Sequence, residues 1–131
     1  MIGDRRPASL LVERGKVSEF RAAVGLPYCS DVQFAPPTFP AAIEVFGPAV
    51  ASILSDRGID LGSVLHGTED ITYPGGPLRV GDELTGEVVL TGVEERTGRS
   101  GPLRIAMFAI DLARPDGTLA VSVRRSLVIV G

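Results

Sequence analysis

The stretch VLHGTEDITY holds the side chains of this protein that are best suited to acid–base chemistry. His66 is the only histidine in the 131 residues, and two acids, Glu69 and Asp70, follow it closely. An imidazole next to a carboxylate is a common pair for moving protons between a substrate and water. Whether these side chains meet depends on the backbone that carries them.

Residues 64–73 are predicted to form a β-strand, and successive side chains of a strand point to opposite faces of the sheet. On a regular strand, His66 and Glu69 therefore lie on opposite faces, and His66 shares its face with Asp70. Only a bulge, for which Gly67 is a plausible site, would bring His66 and Glu69 together. We therefore favour a structural role for His66, beside an interface or a loop. Glu69 would stand on the apolar face, more commonly exposed beyond a helix end than at a polar spot in a pocket.

The composition argues against several other classes of function. One histidine and one cysteine argue against a zinc site within a single chain, and no cofactor motif is present, so we expect neither a metal nor a cofactor. Cys29 has no neighbouring base in sequence that would activate it as a nucleophile. The net charge of −3 and the scattered basic residues argue against nucleic acid as a partner.

The length and the hydropathy pattern predict one domain covering residues 1–131. No apolar run approaches the ~20 residues of a membrane span, and no signal-peptide pattern is present at the start. We therefore expect no membrane association and a cytoplasmic location, which a single unpaired cysteine suits.

The order of elements predicts an α+β fold. A strand at 8–13 precedes a helix at 14–25, which Gly25 should end. A longer helix should begin at Pro40 and end at Gly58, although Pro48 should bend or divide it. Its apolar stripe comprises Ile43, Phe46, Val50, Ile53 and Leu54.

Four consecutive strands are predicted after the helices, at 64–73, 82–96, 103–113 and 118–130, with a tight turn at RPDGT. One long apolar helix against one antiparallel sheet suggests a sheet curled around that helix. The IAMFAI sequence is apolar on both faces, so this strand should be central. Its second face needs cover from another subunit or from a loop.

The segments APPTFP, LHGTEDITY and PLRVGDELTGEV resemble the MaoC-like dehydratases. The similarity is greater to their N-terminal, type-I-fatty-acid-synthase-like dehydratase domain, which also occurs as small separate subunits. This resemblance implies a hot-dog fold, in which a curved antiparallel sheet wraps a long central helix, and assembly into dimers. It also implies acyl thioesters of coenzyme A or acyl carrier protein as ligands, and reversible hydration of an enoyl thioester.

The chain departs from the family pattern where the chemistry is expected. Catalytic members of the family carry an Asp and a His in a segment like D-x-N-P-x-H, just ahead of the helix. Here the segment reads GLPYCSDVQFAPPTFP, with Asp31 but no histidine. The resemblance therefore implies a chain that lacks part of the usual catalytic pair.

In the family, the junction ahead of the helix lies near the thioester. This makes Pro37, Thr38 and Phe39 candidate substrate-binding residues, with Thr38 also a candidate helix cap. Gly67 and Asp70 are two further candidates. His66 and Glu69 remain the candidate catalytic residues.

Three functions agree with these features. The favoured one is a subunit of a (3R)-hydroxyacyl-thioester dehydratase or enoyl-thioester hydratase, which shapes the acyl pocket and pairs with a catalytic MaoC-like subunit. The second is a homodimeric enzyme that uses His66 with Glu69 or Asp70, either within one subunit or from opposite subunits. The third is a non-catalytic protein that binds acyl thioesters or acts as a scaffold.

Overall fold

The computed structural model describes residues 2–42 and 47–130. In chain order the elements are β1 (Arg5–Leu11), α1 (Arg14–Ala23), α2 (Phe39–Ala42), α3 (Gly47–Asp56), β2 (Val64–Thr72), β3 (Glu83–Gly98), β4 (Gly101–Ala113) and β5 (Leu119–Val130). A short 3-10 helix at Leu61–Ser63 leads into β2. This order confirms the predicted α+β class.

The strands form one antiparallel sheet in the order β1-β3-β4-β5-β2. The strand that contains IAMFAI is β4, and its central position confirms the prediction. On its inner face Phe108 and Ile110 are buried, whereas Ile105 and Met107 on the outer face are partly exposed. The two edges of the sheet are β1 and β2, so one edge strand carries the candidate catalytic residues.

The core lies between the inner face of the sheet and the helices. From α3, the predicted stripe residues Val50, Ile53 and Leu54 are buried, and the helix packs beside β1. The Nε of Arg6 on β1 donates to the hydroxyl of Ser52 on α3 at 3.0 Å. The other two stripe residues, Ile43 and Phe46, lie outside the described residues.

Glycines end both longer helices, as predicted. Gly25 has φ +81°, and its N–H donates to the carbonyl of Ala22, while the N–H of Leu26 reaches back to Arg21. This pair of bonds satisfies the last carbonyls of α1, and it needs a left-handed residue that glycine adopts without strain. Gly58, with φ +70°, ends α3 with the same bonding pattern.

Pro48 is the second residue of α3, in the first turn, where a missing N–H removes no helical hydrogen bond. Residues 43–46 separate α2 from α3 and are outside the described residues, so a single long central helix stays a prediction.

Within the described ranges, no helix combines the length and the apolar character that crossing a membrane requires.

The observed strand ends differ from the predicted ones where polar residues interrupt the alternation of apolar and polar side chains. β1 begins at Arg5 instead of residue 8, because it pairs along β3 from Val89 onward regardless of its polar start. Near the start of β5, Leu119 pairs with Ala113, whereas Val121 pairs with Leu112. This shift in register turns Leu119 to the outer face, although alternation alone places it with Val121.

Gly86 allows β3 and β4 to approach closely, and we predict that Gly86→Ala destabilises the fold. A methyl group there would lie 1.9 Å from the carbonyl oxygen of Asp111, so the paired backbones would have to separate. We expect a loss of about 1–3 kcal/mol or more in the free energy of unfolding, measured by urea denaturation. The control is Gly15→Ala in α1, where no atom lies within 4 Å of the added carbon. It should be neutral or stabilise by up to about 1 kcal/mol. Equal effects of the two variants would contradict the close approach.

Candidate functional site

Strand β2 carries a bulge at Gly67. His66 pairs with Leu127 of β5 and Thr68 pairs with Ser126, so one residue of β2 has no counterpart. The sequence correctly indicated Gly67 as the place where a bulge could form. The regular strand that we favoured for residues 64–73 is wrong, because the ladder shifts by one residue at this point.

The bulge follows from a close contact between Gly67 and Ser126. A Cβ on Gly67 would lie 2.7 Å from Oγ of Ser126 and 2.9 Å from its carbonyl oxygen, so only glycine fits. The hydroxyl of Ser126 accepts the backbone N–H of Thr68 at 2.9 Å and lies 2.7 Å from the Thr68 hydroxyl. Side-chain hydrogen bonds therefore satisfy a backbone donor next to the irregular ladder.

The bulge places His66 and Glu69 on the same face of the sheet. Directly opposed residues of antiparallel strands project their side chains to the same side. His66 is opposite Leu127 and Glu69 is opposite Arg125, and both of these β5 residues alternate with the buried Val123 on the inner face. Two residues three positions apart therefore share a face, which a regular strand would not allow.

Asp70 lies on the other side of the sheet. It is opposite Arg124 of β5 and is exposed on the outer face. Arg124 itself forms an ion pair with Asp111 of β4 at 2.9 Å. The structure thus groups His66 with Glu69 and separates both of them from Asp70 within one subunit.

Glu69 forms an almost completely buried ion pair with Arg125. The Nε of Arg125 lies 2.5 Å from Oε1 of Glu69, and the two side chains are 11% and 8% exposed. The expectation that Glu69 is exposed beyond a helix end is therefore wrong, and this residue forms a polar spot on an apolar face. Removing both charges from water costs free energy, and only a close contact between the two charged groups offsets that cost.

The sequence did not predict that Arg125 belongs to this cluster. In the sequence it is only one of the scattered basic residues. A signal was present, because Arg125 occupies an inward position in the alternation that places Val123 and Leu127 in the core. A charge at an inward position calls for a buried counter-charge, and Glu69 on the neighbouring strand supplies one.

His66 differs from Glu69 in its surroundings. It is exposed at the edge of the sheet, and within the described part of the chain its imidazole forms no hydrogen bond. The carboxylate of Glu69 bonds to Arg125 instead. The two candidate catalytic side chains therefore share a face without forming a bonded pair.

The junction ahead of α2 is tied to the end of β2. The hydroxyl of Tyr73 donates to the carbonyl of Pro37, and burial raises the pKa of Tyr73 to about 12, so it remains a donor at neutral pH. Phe39 is fully buried and meets Phe20 of α1 edge to face, with ring centroids 5.8 Å apart. Thr38 is exposed, and no capping bond from it occurs among the described residues.

A mostly apolar cavity of about 310 Å³ adjoins this junction. Its lining consists of Ala35, Pro37, Tyr73, Gly76, Pro77 and Leu78. Pro37 is thus both exposed and part of a cavity wall, whereas Phe39 belongs to the core. Substrate binding by Pro37, Thr38, Phe39, Gly67 and Asp70 stays a prediction, as does catalysis by His66 and Glu69.

Comparison with known proteins identifies the family. The family model described as "FAS1-like, dehydratase domain region" matches residues 1–118. The chain belongs to this family. A "UPF0336 protein" of Clavibacter michiganensis subsp. michiganensis is 33% identical to this chain over an alignment of 139 residues. The alignment covers 95% of this chain and 88% of that protein.

Solved structures of low sequence identity share the fold of this FAS1-like dehydratase domain. A chain of the C-terminally truncated HadBC (3R-hydroxyacyl-ACP dehydratase) complex from Mycobacterium tuberculosis superposes with a TM-score of 0.73 at 22% identity, covering 98% of this chain and 94% of that chain. The MaoC-like dehydratase from Rhodospirillum rubrum gives a TM-score of 0.64 at 17% identity, with coverages of 98% and 92%. The family model confirms the resemblance to the type-I-fatty-acid-synthase-like dehydratase domain, and the solved structures of MaoC-like and HadBC dehydratases share its fold.

We predict that Arg125→Met costs about 3–5 kcal/mol of stability, because it leaves the carboxylate of Glu69 buried without this cation. The matched control is Arg124→Met, which breaks the exposed ion pair with Asp111 and should cost at most about 1 kcal/mol. Thermal and urea unfolding measure both. A double variant with Glu69→Leu should recover most of the loss. A similar cost for the two single variants would show that the Glu69–Arg125 pair has no special importance.

Proposed function

We propose that this FAS1-like dehydratase domain is a subunit of a (3R)-hydroxyacyl-thioester dehydratase or enoyl-thioester hydratase, and that a catalytic MaoC-like subunit completes it. One observation carries the proposal: residues 26–38, ahead of α2, contain Asp31 but no histidine. In the family's catalytic members this segment supplies both groups. A chain with the fold but without this pair requires a second chain to supply the acid–base chemistry.

The comparison with HadBC supports pairing. Its structure is that of a complex, described as a 3R-hydroxyacyl-ACP dehydratase, and nearly the whole of this chain superposes on a chain of it. By analogy, the ligand of the complete assembly is an acyl thioester of coenzyme A or of acyl carrier protein. The chemistry is the reversible addition of water to an enoyl thioester, in fatty-acid or polyketide metabolism, and the proposed location is the cytoplasm.

The free edge at β2 suits this assembly. Backbone N–H and C=O groups of an edge strand are available to pair with a strand of another chain. Leu65 on β2 is 58% exposed, and His66 beside it faces the inner side at the same edge. A second hot-dog subunit that continues the sheet here would cover both residues. In this proposal residues 1–131 form one domain.

The homodimeric enzyme is the second candidate, and the bulge at Gly67 is the observation that favours it. The bulge places His66 and Glu69 on one face, as a catalytic pair would need. The bond from Arg125 to the Glu69 carboxylate weighs against it, because that carboxylate is already engaged. Asp70 could join His66 only from an opposite subunit.

The third candidate, a non-catalytic binding or scaffold protein, would bind acyl thioesters without turnover in any assembly.

We predict that the purified chain alone hydrates crotonyl-CoA and longer enoyl thioesters at most feebly, because it lacks the acid–base pair ahead of α2. The measurement is loss of enoyl absorbance, with the chain alone, a co-purified catalytic hot-dog subunit alone, and the two together. The mixture should exceed the sum of the separate rates. Rapid turnover by the pure chain would establish the homodimeric enzyme instead. Thioester binding with no effect on the second subunit would favour the scaffold function.

We predict that His66→Ala lowers the rate of the assembled complex by less than about tenfold, since loss of a positioned acid–base group typically costs ~10²–10⁴-fold. Glu69→Gln serves as the companion variant, because it keeps the shape and removes the charge. It should change the melting temperature more than the turnover. If both variants fold normally and each loses a hundredfold or more in rate, the pair at the bulge is catalytic and our proposal is wrong.

A further inference from the structure

A surface groove of about 460 Å³ lies beside the segment that leads to α2. It is lined by Arg14, Asp31, Gln33, Phe34, Arg79 and Val80. Phe34 and Arg79 face each other across an isolated antiparallel bridge, and the guanidinium carbon of Arg79 lies 6.0 Å from the centroid of the Phe34 ring. The Phe34 side chain is nevertheless 46% exposed. The groove thus presents an aromatic ring and two cations to solvent.

The arginines of this groove differ from most others in the protein. Elsewhere in the described residues, Arg21, Arg99 and Arg104 form no ion pair, and seven arginines form ion pairs with carboxylates: Arg5, Arg6, Arg57, Arg96, Arg114, Arg124 and Arg125. In the same ranges Arg14 and Arg79 form none. Arg14 donates one N–H to the carbonyl of Val32 at 2.7 Å, which is a neutral partner.

The acid near Arg79 is already engaged. Burial alone would raise the pKa of Asp82, but hydrogen bonds from the Arg114 guanidinium and from the backbone N–H of Arg79 outweigh burial and lower the pKa. The Arg114–Asp82 ion pair measures 3.0 Å. The groove therefore keeps two cations against the single carboxylate of Asp31, in a chain whose net charge is −3. A local positive field of this kind attracts a multiply charged anion.

The aromatic ring narrows the chemistry of that anion. Nucleotide bases stack on phenylalanine rings and on guanidinium planes, and the Phe34–Arg79 pair offers both. Phosphates accept hydrogen bonds from the arginines, while the Asp31 carboxylate and the Gln33 amide suit ribose hydroxyls and base amino groups. We propose that this groove binds the phosphorylated adenosine end of a coenzyme A thioester, an inference that rests on the proposed function and specifies its carrier.

The groove is close enough to the candidate substrate site for one ligand to reach both. The chain from Phe34 to Phe39 connects them, and five residues span at most about 17 Å. Along this path the N–H of Ala35 bonds to the carbonyl of Leu78 at 2.8 Å, and Tyr73 bonds to Pro37. The wall of the apolar cavity beside Tyr73 includes Ala35 and Pro37, which belong to this path. The flexible arm of coenzyme A can bridge such a distance, with its thioester at the junction.

We predict that the purified chain binds adenosine 3′,5′-bisphosphate, measured by isothermal titration calorimetry, and that Arg79→Ala weakens binding about tenfold or more. A lost charge-assisted hydrogen bond has an effect of this order. The matched control is Arg99→Ala, which removes the same charge at the β3–β4 turn and should change the Kd by less than about twofold. Phe34→Leu should weaken binding of the nucleotide but leave binding of inorganic pyrophosphate unchanged. Circular dichroism melts verify that each variant folds.

No binding of the bisphosphate at millimolar concentration would overturn the proposal, as would equal effects of Arg79→Ala and Arg99→Ala. Binding of an acyl carrier protein, weakened by Arg79→Ala while the nucleotide fails to bind, would also overturn it. The probe carries no acyl group and needs no second subunit. A failure of nucleotide binding therefore leaves the activity of the assembled complex intact, whereas failure of the proposed function would appear as an assembly without turnover.

Discussion

The close approach of Gly67 to Ser126 determines how the edge of the sheet is built. With no side chain at Gly67, the two backbones come so near that an added carbon would lie 2.9 Å from a carbonyl oxygen. The serine hydroxyl then satisfies the Thr68 N–H. This contact shifts the register of β2 by one residue, and every later side chain of the strand changes face relative to His66. The inner face at this edge thereby acquires both an imidazole and a carboxylate.

The buried Glu69–Arg125 pair is compatible with only this register. A slip of one residue would turn Glu69 to the outer face and place either Thr68 or Asp70 opposite Arg125 instead. Breaking a buried pair is costly, so a pair of this kind acts against alternative registers even where its net contribution to stability is small. The edge strand that would meet another subunit is therefore held in one position from within its own sheet.

The groove at Arg14 and Arg79 differs from the parts of the sheet in which arginines form ion pairs. On both faces of the sheet, arginines meet carboxylates across neighbouring strands or between β1 and α3. These pairs connect neighbouring elements. The groove departs from this pattern at the segment that leads into α2, where the family resemblance locates the thioester. The ion pairs of the sheet are thus separate from the groove that we propose as a ligand site.

The sequence by itself determined the α+β order, the helix ends at Gly25 and Gly58, the central strand β4 and the family, because these depend on local propensity and on alternation along one chain. It also marked Gly67 as a possible bulge. Only the tertiary structure decided that the bulge forms, that Glu69 is buried, and that Arg125 is its counter-ion. Those outcomes depend on which β5 residue stands opposite each β2 residue, and cross-strand register is a property of two segments about sixty residues apart.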